Sequence, residues 1–265
     1  MFYGSSFIFN GIPSENYGIK IISFQKTSGV TTSSAGNEVE IIEKRIYRRP
    51  TSFHFGNSPM IPLTFTLEIG YSDFVSAIDR SNVEKWLLGQ NTYKKFQVDQ
   101  DDVAEIFWNV IFTSAEIIYV GRKQIGMLLY AQADAPWGFT FPRDLNYNFP
   151  VAATQNFNID FYNSSDNNNY LYPAVEFVLN SLGNNFIITN ITDDNREFTF
   201  TGLSPNETIT VDNDLKVLSS STGLHRLSYF NKNWLRFLPG LNQLNVLGAI
   251  EDLTFTYQFA RAVGG

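Results

Sequence analysis

Apolar and polar residues alternate through the first half of the chain. In residues 63–69, LTFTLEI, the apolar positions Leu63, Phe65 and Leu67 are separated by polar ones. A period of two is typical of a β-strand with one buried face. The same kind of pattern predicts strands over 5–10, 19–24, 38–46, 63–69, 104–120 and 124–133, with a tight turn at 121–123 between the last two.

The second half repeats this pattern at short intervals, separated by stretches rich in Asn, Asp, Ser and Gly. Such turn formers between short strands are typical of a β-sandwich. The predicted strands are 157–162, 174–179, 185–191, 197–201, 208–211, 215–218, 234–238, 244–246 and 253–259. No helix is predicted in this half, so the chain is expected to be mainly all-β.

One helix is predicted, in the first half. Ser81 and Glu84 have the spacing of a capping box, in which the two side chains satisfy free backbone N–H groups at a helix start. Val83 and Leu87 lie four residues apart on one face, and Gly89 supplies a left-handed stop. We expect a short helix that covers the edge or end of a sheet.

A projecting hairpin is predicted over about 19–46. Its tip, KTSGVTTSSAGN at 26–37, holds small and polar residues that cannot bury a core. We therefore expect this arm to be ordered by packing on another subunit, through Gly29, Val30, Val39 and Ile41.

The length of 265 residues favours two domains. Pro142 and Pro150 interrupt the strand patterns, with Arg143 and Asp144 between them. We predict a first domain over 1–137, a linker over 138–150 and a second domain over 151–265.

Composition narrows the function classes. The chain has no cysteine, which fits folding in a reducing cytoplasm. A net charge of −7 argues against sequence-specific nucleic-acid binding, because phosphate affinity requires clustered Lys and Arg. No stretch is apolar over the length of a membrane span, and the N-terminus lacks the pattern of a secretory signal, so neither is expected. Aromatic residues make up 15% of the chain and charged residues only 17%. Because aromatic side chains are enriched in β-strands and at interfaces, this balance favours a β-rich protein with much of its surface covered.

No motif predicts an enzyme, a cofactor or a metal site. The two histidines, His54 and His225, are not accompanied by a nucleophile elbow or a metal-ligand motif. The acidic residues between Asp99 and Glu105 lack the glycine of a calcium loop. The basic run Lys44, Arg45, Arg48 and Arg49 is interpreted as a solvated or interface strand end, with a phosphate site as the alternative.

Three stretches carry a resemblance to a known family. They are the strand ETITVDND with NKNWLRFLPGLNQLNV within 207–248, the N-terminal MFYGSSFIFNGI, and Asp134 to Gly138. Together they resemble the distal tail proteins (Dit) of long-tailed, non-contractile bacteriophages. The resemblance implies a β-sandwich-like N-terminal ring domain with an arm, and a C-terminal sandwich similar to galectins and carbohydrate-binding modules.

The resemblance also implies a structural role. In that family, six copies form a ring that surrounds the DNA channel and joins the tail tube to the tip apparatus. Expected partners are the tail tube protein, the tape measure protein, the tail-associated tip or lysin protein and a receptor-binding protein. The expected location is the tail tip of the virion, after assembly in the host cytoplasm.

Two other functions stay open on the residues alone. The second domain could be an adhesion module for a cell-surface saccharide, with Tyr170 and Tyr172 as an exposed platform and Tyr229 or Trp234 as less favoured candidates. A glycosidase would need a carboxylate pair across a groove, from among Glu176, Glu197, Asp212 and Asp214. Turn and strand-face roles are the favoured explanation of these four carboxylates.

Overall fold

The computed structural model of the protein describes residues 5–22, 41–47, 49–57, 61–72 and 76–262. Within these ranges the chain consists mainly of antiparallel strands with one α-helix, which confirms the predicted, mainly all-β fold class. It divides into two compact units. The first comprises Met1–Thr140 and Arg261–Gly265, and the second comprises Phe141–Ala260.

The first unit is built around one large sheet, in the order β2-β1-β7-β8-β9-β6-β3, with β10 paired to β8. The strands of the first unit are β1 (Phe7–Phe9), β2 (Ile12–Pro13), β3 (Ile19–Ile21), β4 (Ile41–Lys44), β5 (Phe53–Asn57), β6 (Thr64–Tyr71), β7 (Lys94–Val98), β8 (Ile106–Val120), β9 (Lys123–Ala133) and β10 (Gly138–Thr140). Alternation along β6 buries Phe65, Leu67 and Ile69 as predicted. The sequence analysis did not predict β5 or β7.

The helix α1 (Ala77–Leu88) begins one turn earlier than predicted. Its N-cap is Ser76, whose side-chain oxygen accepts a hydrogen bond from the Asp79 backbone N–H at 3.2 Å. Ser81 lies inside the helix, so the capping-box prediction is wrong. Gly89 does end the helix, but with φ −82° rather than a left-handed conformation. A Cβ on Gly89 would clash with the Lys85 carbonyl oxygen, which explains the glycine.

Aromatic packing joins α1 to the main sheet. The ring of Trp86 stacks on Phe7, with centroids 5.8 Å apart and planes 5° from parallel. The indole Nε1 of Trp86 donates to the Phe9 carbonyl oxygen at 3.2 Å. Because a buried indole N–H needs an acceptor, this bond fixes the helix against β1, the strand next to the edge strand β2.

The predicted hairpin over 19–46 is wrong in its pairing. β3 pairs with β6 in the main sheet, in the register Ile19↔Tyr71 to Ile21↔Ile69. β4 pairs instead with β5, and these two strands form a separate two-stranded sheet. The cause is the strand 53–57, which follows β4 closely enough to form a local hairpin.

The second unit contains two antiparallel sheets, ordered β11-β19-β13-β16-β17 and β12-β18-β14-β15. Its strands are β11 (Arg143–Asn148), β12 (Gln155–Asn163), β13 (Ala174–Leu179), β14 (Asn184–Asn190), β15 (Arg196–Leu203), β16 (Thr208–Asp212), β17 (Val217–Ser220), β18 (Gly240–Gly248) and β19 (Ile250–Tyr257), and β20 (Ala260–Arg261) follows them. Phe177 of β13 and Phe186 of β14 stack across the two sheets with centroids 3.9 Å apart. One continuous core therefore fills the space between the sheets, as in a sandwich.

Residues 138–150 hold strands rather than an irregular linker. β10 ends at Thr140, and β11 pairs with β19 from Arg143↔Tyr257 to Asn148↔Asp252. Pro142 and Pro150 lie just outside β11, where a missing backbone N–H removes no ladder bond. The compact units meet in sequence between Thr140 and Phe141.

The predicted strand 234–238 is also wrong. This segment belongs to no strand and makes only one isolated bridge, Phe237 to Leu171. Side-chain amide oxygens accept hydrogen bonds from two of its backbone N–H groups. Leu235 N–H donates to Asn213 Oδ1 at 2.8 Å, and Leu238 N–H donates to Asn242 Oδ1 at 2.8 Å. Buried asparagines thus replace a neighbouring strand.

Candidate functional site

The hairpin β4–β5 has no interior of its own. None of its residues with a described side chain, nor of the described residues in its connection, is buried. Within the described chain it pairs with no third strand. A two-stranded hairpin of this kind is marginally stable in water unless something packs on it.

Apolar side chains of the hairpin nevertheless face solvent. Ile42 is 48% exposed, Phe55 is 66% exposed, and Ile46 and Tyr47 in the connection are also exposed. Burial of one such side chain contributes about 1.5–3 kcal/mol. Several of them on one short element form an exposed apolar surface, which is a feature typical of interaction sites. We call this surface the hairpin patch, defined by Ile42, Ile46, Tyr47, Phe53 and Phe55.

Basic side chains order the connection between β4 and β5. The guanidinium of Arg49 lies over the Phe53 ring, 4.0 Å from its centroid. Arg45 Nε donates to the Ser52 hydroxyl at 3.3 Å. Both contacts lie within the hairpin, so the interpretation of the basic run as a solvated or interface strand end stays a prediction.

The residues predicted for the arm fall mostly outside the described ranges. Gly29, Val30 and Val39 lie outside the described residues, and so does Arg48. Ile41 is the first residue of β4, but its side chain is not among those that the structure describes. The prediction for these four arm contacts therefore stays a prediction.

Tyr170 and Tyr172 lie close together in the second unit. Their ring centroids are 6.4 Å apart in a T-shaped arrangement, and both side chains are partly exposed. Arg236 lies over the Tyr170 ring at 4.2 Å and forms a bidentate salt bridge with Asp193, at 2.8 and 3.0 Å. The aromatic pair is thus held by an arginine that sequence reasoning did not single out.

Hydrogen bonds give two of the four candidate carboxylates separate roles. Glu176 accepts a hydrogen bond from Thr210 at 3.0 Å on a neighbouring strand. Asp212 accepts from the backbone N–H groups of Asp214 and Leu215, which closes the turn after β16. These contacts agree with the favoured turn and strand-face roles. Among the described residues, no group of three or more His, Asp or Glu could hold a metal ion.

Two family profiles match the chain in succession. One, described as a phage tail protein N-terminal domain, matches residues 2–135, and the other, described as a phage tail C-terminal domain, matches residues 137–257. The chain belongs to this phage tail protein family. No curated protein matches the sequence.

The fold of this tail protein is similar to a solved structure, the crystal structure of the Dit protein (gp 19.1) of phage SPP1, described as a paradigm of the hub adsorption apparatus in phages that infect Gram-positive bacteria. The TM-score is 0.69 at 11% identity, over 96% of this chain and 98% of the other. Family and fold together confirm the resemblance to distal tail proteins. In the described part of the tail protein, no helix combines the length and apolarity needed to cross a membrane.

A buried ion pair in the second unit escaped the sequence analysis. Glu207 and Arg226 are 1% and 3% exposed, and their charged groups approach to 2.6 Å. Burial alone would raise the pKa of Glu207, but hydrogen bonds from Arg226, Ser220 and the Ser204 backbone lower it to about 2. The only signal in the sequence was an arginine inside a polar, serine-rich spacer. The pair anchors the segment after β17 to the start of β16.

Proposed function

We propose that this tail protein is a distal tail protein, six copies of which form a ring around the DNA channel at the tail tip. The observation that carries the proposal is the hairpin β4–β5, whose apolar patch is exposed to solvent and which pairs with no third strand within the described chain. Membership of a phage tail protein family and a fold similar to that of SPP1 Dit support it.

In the ring, the hairpin patch seats on the neighbouring subunit. A closed rotational ring requires a heterologous contact, in which one surface of each copy meets a different surface of the next. An exposed two-stranded hairpin suits this geometry, because its free edges and apolar side chains become covered only when a neighbour is present.

The ring joins the tail tube to the tip apparatus. Its partners are the tail tube protein, the tape measure protein and the tail-associated tip or lysin protein, and a receptor-binding protein docks at its periphery. The net charge of −7 supports a channel through which DNA passes without binding. The role is structural and involves no reaction.

Mass measurement by light scattering across a concentration series tests the ring. The parent protein is expected to form hexamers, whereas Ile42→Ser and Phe55→Ser variants should remain smaller at the same concentration. Tyr162→Ser is the matched control, because Tyr162 is as exposed as Phe55, at 65%, but lies on β12 of the second unit.

Two outcomes would contradict the proposal. The parent protein could stay monomeric at every concentration and also beside purified tail tube protein. Alternatively, both hairpin variants could assemble as well as the parent, which would show that the ring contact lies elsewhere.

A further inference from the structure

The hairpin β4–β5 is positively charged in a protein that is negatively charged as a whole. Glu43 is the one acidic residue in the sequence 41–57, which contains four basic residues, Lys44, Arg45, Arg48 and Arg49. The complete chain has a net charge of −7. The hairpin is therefore attracted to acidic surfaces, and its basic charge lies on the same short element as the hairpin patch.

The described basic side chains of the hairpin contact neutral groups. Lys44, Arg45 and Arg49 are all exposed. Arg45 donates to the Ser52 hydroxyl, and Arg49 Nε donates to the Thr51 hydroxyl at 3.2 Å. Within the described ranges, none of the three cations forms a salt bridge with an Asp or Glu. Their charge is therefore left for a partner to match.

A turn of the same unit carries the opposite charge. Residues 99–105 between β7 and β8, which we call the acidic turn, form the most acidic stretch of seven residues in the sequence. They contain no basic residue and four carboxylates, those of Asp99, Asp101, Asp102 and Glu105. Asp101 and Asp102 are exposed, and neither forms a salt bridge with a described Lys or Arg. The first unit thus presents two exposed surfaces of opposite charge.

The acidic turn is held in place by its own contacts. Val103 is 5% exposed and belongs to the core of the first unit. The Asp99 N–H donates to the Ser6 carbonyl oxygen at 3.0 Å, and the Ile106 N–H donates to the Val103 carbonyl oxygen at 2.9 Å. A preorganised surface of this kind loses little conformational freedom when a partner binds, so the cost of binding is low.

We propose that the basic hairpin of one subunit seats on the acidic turn of the next copy of the chain. This inference rests on the proposed ring, because it names the surface that receives the hairpin. The two surfaces differ, as a heterologous contact requires. Opposite charges across the contact fix its register and speed the encounter.

Apolar side chains add to the contact on both sides. The hairpin contributes the hairpin patch. Beside the acidic turn, Ile8 on β1 is 38% exposed and lies opposite Gln97 on β7, two residues before the turn begins. The charged groups therefore select the partner surface, while apolar burial supplies stability.

Charge reversal of each surface, followed by mixing, tests the contact. The hairpin variant combines Arg45→Glu and Arg49→Glu, and the turn variant combines Asp101→Lys and Asp102→Lys, both in the full chain. In light scattering, each variant alone should need a concentration about tenfold higher than the parent to assemble, because like charges then meet. A 1:1 mixture should recover the parent assembly, because a ring of six can alternate the two variants so that every contact joins opposite charges.

Two controls accompany the mixing experiment. Asp160→Lys with Glu251→Lys makes the same change in net charge on exposed residues of the second unit, and it should assemble like the parent. Circular dichroism checks that each variant has folded, and Asp101→Asn with Asp102→Asn replaces the lysine variant if that one does not fold. Recovery in the mixture cannot come from a damaged hairpin, so it separates charge from folding.

The outcomes distinguish this contact from the ring itself. If the parent forms no ring, alone or beside purified tail tube protein, the proposed function and the contact both fail. If the parent forms the ring but both charge variants assemble equally well, or folded variants do not recover on mixing, only the contact is overturned. A hairpin variant that assembles like the parent but no longer binds purified tail tube protein would also overturn it, by assigning the basic run to that protein.

Discussion

Arg226 forms a bidentate salt bridge with Glu207 across 19 residues of chain, with Nε 2.7 Å from Oε1 and Nη2 2.6 Å from Oε2. The pair is buried at one end of the second unit, and Ser204 and Ser220 complete its hydrogen bonding. A buried ion pair costs desolvation energy, so its main effect is seen when one partner is removed.

Removal of either partner should destabilise the second unit by about 3–5 kcal/mol, because it leaves a buried charge uncompensated. Glu207→Met should cost more than Arg226→Met. After loss of the arginine, Glu207 still accepts from Ser220 and the Ser204 backbone, whereas Arg226 alone keeps the Ser204 hydroxyl and the Tyr229 ring. Urea unfolding of the single and double variants measures this.

The control for this cycle is Arg122→Met, in the exposed turn between β8 and β9. It should change the free energy of unfolding by less than about 0.5 kcal/mol. If Glu207→Met and Arg226→Met change the free energy of unfolding as little as Arg122→Met does, the ion pair does not anchor the segment after β17.

The same pair predicts a pH dependence. The pKa of Glu207 is about 2 in the folded protein against an ordinary 4.5, so the unfolded chain binds the proton first as pH falls. The stabilisation is present above about pH 4.5 and is lost as pH falls towards 2. Free energies of unfolding measured at constant ionic strength over this range should fall less steeply for Glu207→Gln than for the parent. Equal slopes would contradict the lowered pKa.

The helix start gives a prediction that separates sequence pattern from structure. Ser76→Ala should destabilise the first unit by about 1 kcal/mol, because Ser76 caps the free Asp79 N–H. Ser81→Ala should have almost no effect, since Ser81 is exposed and lies within α1. Thermal unfolding of both variants provides the comparison. The reverse order of effects would restore the capping box at Ser81 as the helix start.

How far the sequence predicts the fold depends on the range of the interactions. The strand 174–179 is predicted at its observed bounds because it is a short apolar run between Pro173 and Asn180, both of which are typical of strand ends. The segment 234–238 has equally apolar residues, but its environment depends on Asn213 and Asn242, and the first of these lies 22 residues away from its partner Leu235. A pattern of polarity does not report which side chains supply hydrogen bonds at that distance.

The candidate sites show the same limit. Tyr170 and Tyr172 were accessible to sequence reasoning because they come directly after an Asn-rich loop. The charged groups beside them were not, since Asp193 and Arg236 are 43 residues apart and meet only in the folded sandwich. In the first unit, alternation predicted a hairpin arm, but pairing depends on which strands meet, and β5 was not recognised as the partner of β4.

The last prediction isolates the hairpin from the folding of its unit. Lys44 and Phe53 are directly paired, so residues 45–52 can be replaced by Asn-Gly, which forms a two-residue turn matched to the twist of antiparallel strands. The change removes Ile46 and Tyr47 from the hairpin patch, and none of the described residues that it replaces is buried. Thermal unfolding should therefore stay close to that of the parent, while light scattering should show a smaller assembly. A shortened protein that still forms the parent assembly would exclude the connection as part of the subunit contact, and one that fails to fold would show that the hairpin is required by its own unit.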